Sequence, residues 1–127
     1  MNRKTIFTEN APGAIGYYSQ AIVSNGLVYT AGQIPLDPKT GEIVSDDFSE
    51  QVKQTLNNIE SVLKATGTDF SKSIKLTVFI TDLSNYPELN AVFKEKFDGI
   101  DPPARSVVEV SALPKDVMIE IDCIAIL

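Results

Sequence analysis

Histidine is absent from the chain, and cysteine occurs once, as Cys123. The missing imidazole excludes every Ser-His-Asp or Cys-His catalytic arrangement and any His-built zinc site. A lone cysteine excludes an intrachain disulfide. Cys123 lies in IEIDCIAIL, where apolar neighbours suit a small buried residue better than an activated thiolate. Any chemistry therefore falls to arginine, tyrosine, carboxylate and backbone groups.

Other shortages narrow the field further. Basic residues number eleven against seventeen acidic ones, for a net charge of -6. No run of Lys and Arg with interleaved aromatics offsets that charge, which argues against a dedicated nucleic-acid binder. The acidic residues Asp46, Asp47 and Glu50 lack the twelve-residue alternation of a calcium loop, and Gly26, Gly32 and Gly41 form no phosphate-binding motif. Neither a metal nor a nucleotide cofactor is expected. The start MNRKTIFTENAPG has no apolar core of secretory length, and no segment approaches the ~20 apolar residues of a membrane span, so the expected location is cytoplasmic.

What is present suits one domain over 1–127. Hydrophobic residues make up 43% and charged residues 22%, enough apolar material for a core without staples. In AIVSNGLVYTAGQ, Asn25-Gly26 separates two apolar runs and predicts a hairpin, since both residues tolerate positive φ. Asp37-Pro38-Lys39-Thr40-Gly41 predicts a second turn. Phe48, Val52, Leu56, Ile59 and Leu63 recur at helical spacing, with Asp47 and Glu50 as a capping box, Gly67 as terminator, and Lys53, Asn57, Glu60 and Lys64 on the solvent side. Ser73 to Thr81 reads as a strand with Ile74, Leu76, Val78 and Ile80 on one face. A second helix runs from about Tyr86 to Phe97, with Asn85 as cap and Tyr86, Leu89, Phe93 and Phe97 as its apolar stripe. Two strands, 104–110 and 118–126, complete the chain.

Two helices most economically cover one face of a mixed or mainly antiparallel sheet, giving an α+β fold. The other face keeps apolar Phe79, Ile124 and Ile126, which predicts self-association.

Three features invite a chemical account. Arg105 follows Pro102-Pro103 at the entrance to an apolar strand, where a guanidinium can clamp a carboxylate bidentately. It can equally pair with Glu109 or snorkel to solvent. Glu120 alternates with apolar residues and faces either solvent or a cleft. Were the last two strands a simple hairpin, Glu120 would lie opposite residue 109 and roughly 13 Å along the strand from Arg105, so a site using both requires an irregular register or a neighbouring chain. Tyr17-Tyr18 is the third; in extended backbone one ring packs while the other lines a cleft. These patterns alone identify no reaction.

Over essentially its whole length the sequence resembles the YjgF/RidA family of reactive-intermediate deaminases, in ENAPGAIGYYSQA, AGQIPLDPKTGEI, TVFITDL, PPARSVVEV and ALPKDVMIEIDCIAI. The resemblance implies a chorismate-mutase-like α+β domain assembled as a homotrimer, with helices outside and ligand clefts between subunits. It implies hydrolysis of 2-enamine and 2-imino acids, notably 2-iminobutanoate and 2-iminopropanoate, to 2-oxo acids and ammonia. The functional link would be to pyridoxal-phosphate-dependent dehydratases that generate these intermediates, without a stable contact. By the same resemblance Arg105 is the carboxylate-binding residue, Tyr18 the cleft tyrosine, Glu120 the acid that orients or activates water, Gly32 the loop glycine bordering the site, and Asn90 a pocket residue of the second helix. Tyr17 departs from the family's Gly-Pro-Tyr form, and Val107 replaces a frequent cysteine. The competing class is a non-catalytic or regulatory protein holding a 2-oxo acid or amino acid in the same cleft. A ribonuclease activity, also described in this broad family, sits poorly with the acidic charge and absent histidine.

Overall fold

A computed structural model describes residues 2–127. Six strands and two helices follow in the order β1 Lys4–Ile6, β2 Ala21–Ser24, β3 Leu27–Thr30, α1 Phe48–Thr66, β4 Ser73–Ile80, α2 Tyr86–Lys96, β5 Ala104–Glu109 and β6 Ile119–Ile126. The strands form one sheet in the order β1-β2-β3-β6-β4-β5. All neighbours are antiparallel except β4 and β5, which run parallel. Strand β1 has no counterpart in the sequence reading. It spans only three residues with Ile6 alone buried, too short for a period to register.

Local chemistry accounts for most boundaries. Asn25 and Gly26 turn β2 into β3 with φ of 51° and 76°, as their tolerance of the left-handed region predicts. Asp37 accepts hydrogen bonds from the Lys39 and Thr40 N–H groups, closing the second turn. Helix α1 starts where the Asp47 carboxylate accepts from the Glu50 N–H at 3.0 Å and ends at Gly67 with φ 93°. Only half of the expected capping box forms, because the Asp47 N–H donates to Ser45 Oγ. Asn85 does not cap α2 with its side chain. Asp82 instead accepts from the Ser84 N–H and opens a short 3-10 turn that runs into the helix.

Both helices cover one face of the sheet. Val52, Leu56, Ile59 and Leu63 of α1 and Leu89, Val92 and Phe93 of α2 join Leu76, Val78 and Ile80 of β4 and Ile119, Ile121 and Cys123 of β6 in one apolar cluster. Ile74 leaves the row expected for it, since a register irregularity between Ser73 and Lys75 turns it outward. Glu60, expected in solvent, is half-buried and takes Lys96 Nζ at 3.0 Å, which ties the two helices together. Helix α1 also buries three polar residues, Gln51, Thr55 and Asn58. The Asn58 amide donates to the Ile34 and Leu36 carbonyls, and Gln51 bridges the Ser45 carbonyl and the Met118 N–H. These bonds satisfy loop backbone that would otherwise be buried unpaired. They also hold the segments on either side of the site described below.

The second face of the sheet carries no helix. It presents Ile22, Tyr29, Phe79, Val108, Ile124 and Ile126 around a polar centre of Thr77, Glu120 and Asp122. Tyr29, Val108 and Ile126 are exposed. No helix among the described residues is long and apolar enough to cross a membrane.

Candidate functional site

Glu120 leaves β6 on the helix-free face, because its neighbours Ile119 and Ile121 are fully buried on the other. Beyond β3 the chain stays beside β6 through the mutual backbone bonds of Gln33 and Ile121, at 2.8 and 3.0 Å. That pairing brings Gly32 under the Glu120 side chain. A Cβ on Gly32 would fall 2.5 Å from Glu120 Oε2, so only glycine leaves room for the carboxylate there. Pro12, Tyr18, Ile34 and Pro114 complete a small cleft of about 40 Å³ around it. Burial raises the Glu120 pKa above the ordinary carboxylate value, and the negative charge of Asp122, two residues on along the same face, pushes it the same way. Asp122 is itself raised by burial, partly opposed by its hydrogen bond with Thr77.

Tyr18 reaches this cleft from the loop before β2. Its hydroxyl oxygen accepts the Ile15 N–H at 3.2 Å, which leaves the hydroxyl hydrogen free to be donated. The ring packs over Gly16, its nearest carbon 3.4 Å from where a Cβ would stand, an ordinary contact distance. Tyr17 is fully exposed and Tyr18 partly so. The segment is a tight bend closed by the Tyr18 N–H on the Gly16 carbonyl at 3.1 Å instead of the extended backbone expected, so strand alternation does not set the two rings.

Arg105 occupies a separate place. In the β4–β5 register it pairs with the fully buried Leu76, so it faces the helix side of the sheet. Its Nη2 donates to Asn90 Oδ1 at 2.7 Å and to Tyr86 Oη at 3.2 Å. The guanidinium carbon sits 4.8 Å from the Phe93 ring centre and 5.6 Å from that of Tyr86, within cation–π range. Glu109 does not pair with it; that carboxylate accepts the Leu83 N–H at 2.9 Å. Among the described residues no salt bridge involves Arg105. A fixed cation held only by neutral partners is an open receptor for an anion. Beside it lies a cavity of about 400 Å³ walled by Phe93, Phe97, Ile100, Pro102 and Pro103.

Asn90 thus joins Arg105, while Tyr18, Gly32 and Glu120 gather elsewhere. The simple hairpin of the last two strands does not exist, since β4 lies between β5 and β6. Glu120 pairs with Phe79 and Arg105 with Leu76. These positions have opposite parity on β4, so the two side chains leave opposite faces of the sheet. Two strand spacings and three residues of rise put their backbones roughly 14 Å apart. Tyr86 was not singled out as a site residue by the sequence. Its spacing with Leu89 and Phe93 reads as core, yet Tyr86, Asn90 and Phe93 stand at i, i+4 and i+7 on one helix face beneath the guanidinium.

Residues 8–127 match the family model described as Endoribonuclease L-PSP. The chain is 51% identical over 123 residues to a RutC family protein of Pyrococcus horikoshii, covering 97% of each chain. It is 47% identical over 125 residues to the 2-iminobutanoate/2-iminopropanoate deaminase of Salmonella typhimurium, again with 97% of each covered. Among solved structures, that of E. coli TdcF with bound serine superposes with a TM-score of 0.94 at 44% identity, with 98% of each chain covered. Sequence likeness and backbone agreement extend together across both the Glu120 cleft and the Arg105 strand, and the chain belongs to the YjgF/RidA family of reactive-intermediate deaminases.

Proposed function

We propose that this protein hydrolyses 2-imino acids such as 2-iminobutanoate and 2-iminopropanoate to 2-oxo acids and ammonia, as a single domain over 1–127 that works as a homotrimer with sites between subunits. The observation that carries the reading is the Arg105 guanidinium, held by Asn90, Tyr86 and Phe93 with no carboxylate partner among the described residues. It suits the carboxylate common to these substrates. The names of the relatives support the reaction, and the bound serine of the TdcF structure supports a small amino-acid-like ligand.

The opposite facing of Arg105 and Glu120 supports the assembly. One chain does not close both groups around a three- or four-carbon molecule. A neighbouring copy that covers the apolar helix-free face would bring its own Tyr18, Gly32 and Glu120 against Arg105, Asn90 and Tyr86. In that cleft Arg105 holds the substrate carboxylate and fixes the adjacent imine carbon. Glu120 accepts a proton from water as its oxygen bonds to that carbon. The Tyr18 hydroxyl donates to substrate or water and keeps it in place. Glu120 passes the proton taken from water to the imine nitrogen, giving the neutral carbinolamine. It then moves the proton of the new hydroxyl to the amine, so that the C–N bond breaks, ammonia leaves and the carbonyl forms. Burial makes Glu120 a better base than a solvated carboxylate. Intermediates of this kind arise in pyridoxal-phosphate-dependent dehydratases, which would supply substrate by diffusion.

The test is a coupled assay in which a threonine dehydratase generates 2-aminocrotonate while its ultraviolet absorbance is followed. The expected result is a faster decay with this protein than in buffer. Decay at the buffer rate, with 2-oxobutanoate or an amino acid still binding, would transfer the cleft to the non-catalytic carboxylate-binding class.

A further inference from the structure

Gln20 is a polar side chain with only 3% of its surface exposed. It stands at the junction of the Tyr18 loop and β2. Its amide nitrogen donates to the Pro12 carbonyl at 2.8 Å, to the Thr8 carbonyl at 3.1 Å and, at longer range, to the Ala11 carbonyl at 3.4 Å. Its side-chain oxygen accepts the Thr8 N–H at 2.7 Å. Its backbone carbonyl accepts the Ala31 N–H at 2.9 Å, one residue before the Gly32 seat of Glu120. A single residue therefore ties the 8–12 segment, which leads into the Tyr18 loop, to the segment that carries Gly32.

The loop needs such a tie. From Phe7 to Ser19 it has no ladder partner, so its shape rests on a few contacts. Pro12 and Tyr18 both wall the Glu120 cleft, and the bond from the Ile15 N–H to Tyr18 Oη forms only while that path is kept. An amide is the one side chain of this length offering two donors and an acceptor together. Leucine matches its bulk with no polar atom, and an ionised glutamate keeps the acceptor but offers no donor.

We infer that Gln20 is a positioning residue for this site, holding the loop from Thr8 to Tyr18 in the path that aims the Tyr18 hydroxyl into the Glu120 cleft. It touches no reacting atom and acts through Tyr18, so the inference rests on the role of Tyr18 proposed above. Displacement of a catalytic group by about 1 Å costs up to ~100-fold in rate. Gln20→Leu is expected to lower kcat by about 10- to 100-fold with KM changed less than about twofold, because the Arg105 anchor is untouched.

The experiment is a double-mutant cycle of Gln20→Leu and Tyr18→Phe in the coupled assay, joined to amide hydrogen exchange. Two residues acting as one unit are non-additive, so the double variant should be no slower than the slower single variant. Exchange should accelerate between Gly13 and Tyr18 and stay unchanged in β4 and β6. Fully additive losses, or wild-type kcat in Gln20→Leu, would overturn the assignment. If Tyr18→Phe alone is fully active, the role of the hydroxyl falls, and exchange decides the role of Gln20: no acceleration in the loop sinks it. Should Gln20→Leu not fold, Gln20→Glu decides. Its protonated form regains one donor, so its rate relative to wild type at the same pH should rise as pH falls, and a flat ratio would overturn the inference.

Discussion

Gly32 and Glu120 touch so closely that a Cβ on the first would stand 2.5 Å from Oε2 of the second and 2.8 Å from its carboxyl carbon. The glycine is required by space, since it is not among the residues with left-handed backbone. Gly32→Ala is therefore expected to keep the fold and swing the carboxylate away. A drop in kcat of at least about tenfold should follow from a displacement of this size, measured beside circular dichroism that matches wild type.

Arg105 combines two hydrogen bonds, aromatic stacking and an unpaired charge in one planar group. Arg105→Lys keeps the charge but loses the fork and the stacking. Both Arg105→Lys and Arg105→Ala should lose about 10- to 100-fold in kcat/KM, as expected for a charged hydrogen bond worth about 1.5–3 kcal/mol. Near-wild-type kinetics in Arg105→Ala would remove the carboxylate clamp.

Glu120 must be ionised to accept a proton, and its pKa is raised by burial and by Asp122. Activity should accordingly fall with acidification at a higher pH than an ordinary carboxylate titrates. Asp122→Asn removes one cause and should move that fall to lower pH. The stability consequence has the opposite sign to that of a salt-bridged acid: a raised folded pKa costs stability above it, and the cost is relieved as pH falls through it. Glu120→Gln should therefore lose activity yet unfold at a higher temperature than wild type at pH 7.

The opposite facing of Arg105 and Glu120 predicts complementation. Chains carrying Arg105→Ala and chains carrying Glu120→Gln should each keep no more than about a tenth of wild-type activity. Refolded together in equal amounts, they should recover about a quarter of wild-type activity, because every mixed ring restores one intact cleft. Absence of recovery, with mixed trimers present by native mass spectrometry, would place both groups in one chain.

Several features of the fold are legible from short stretches alone. The α1 face, its Gly67 terminus, the Asn25-Gly26 turn and the alternation of β6 depend on residues within a few positions of one another, and each follows from helix or strand period or from φ preference. Local reading failed where a neighbour in space intervened. Asn85 lost its capping role to a preceding 3-10 turn nucleated by Asp82, and Ile74 turned outward at an irregular pairing with β6. Tyr86 read as core because an aromatic at helical spacing has the same pattern whether it meets another apolar group or a guanidinium.

Residue content alone sets the chemistry available: no imidazole, one cysteine, and a few arginine, tyrosine and carboxylate groups standing where family motifs occur. The sequence also determines that apolar residues remain on both faces of the sheet. Tertiary structure alone decided which of those groups meet. Inserting β4 between β5 and β6 sends Arg105 to the helix face with Asn90 and Glu120 to the bare face with Gly32 and Tyr18. The physical reason is that strand period assigns each residue to one of two faces, while only the order and register of strands far apart in the chain determine which residues share one.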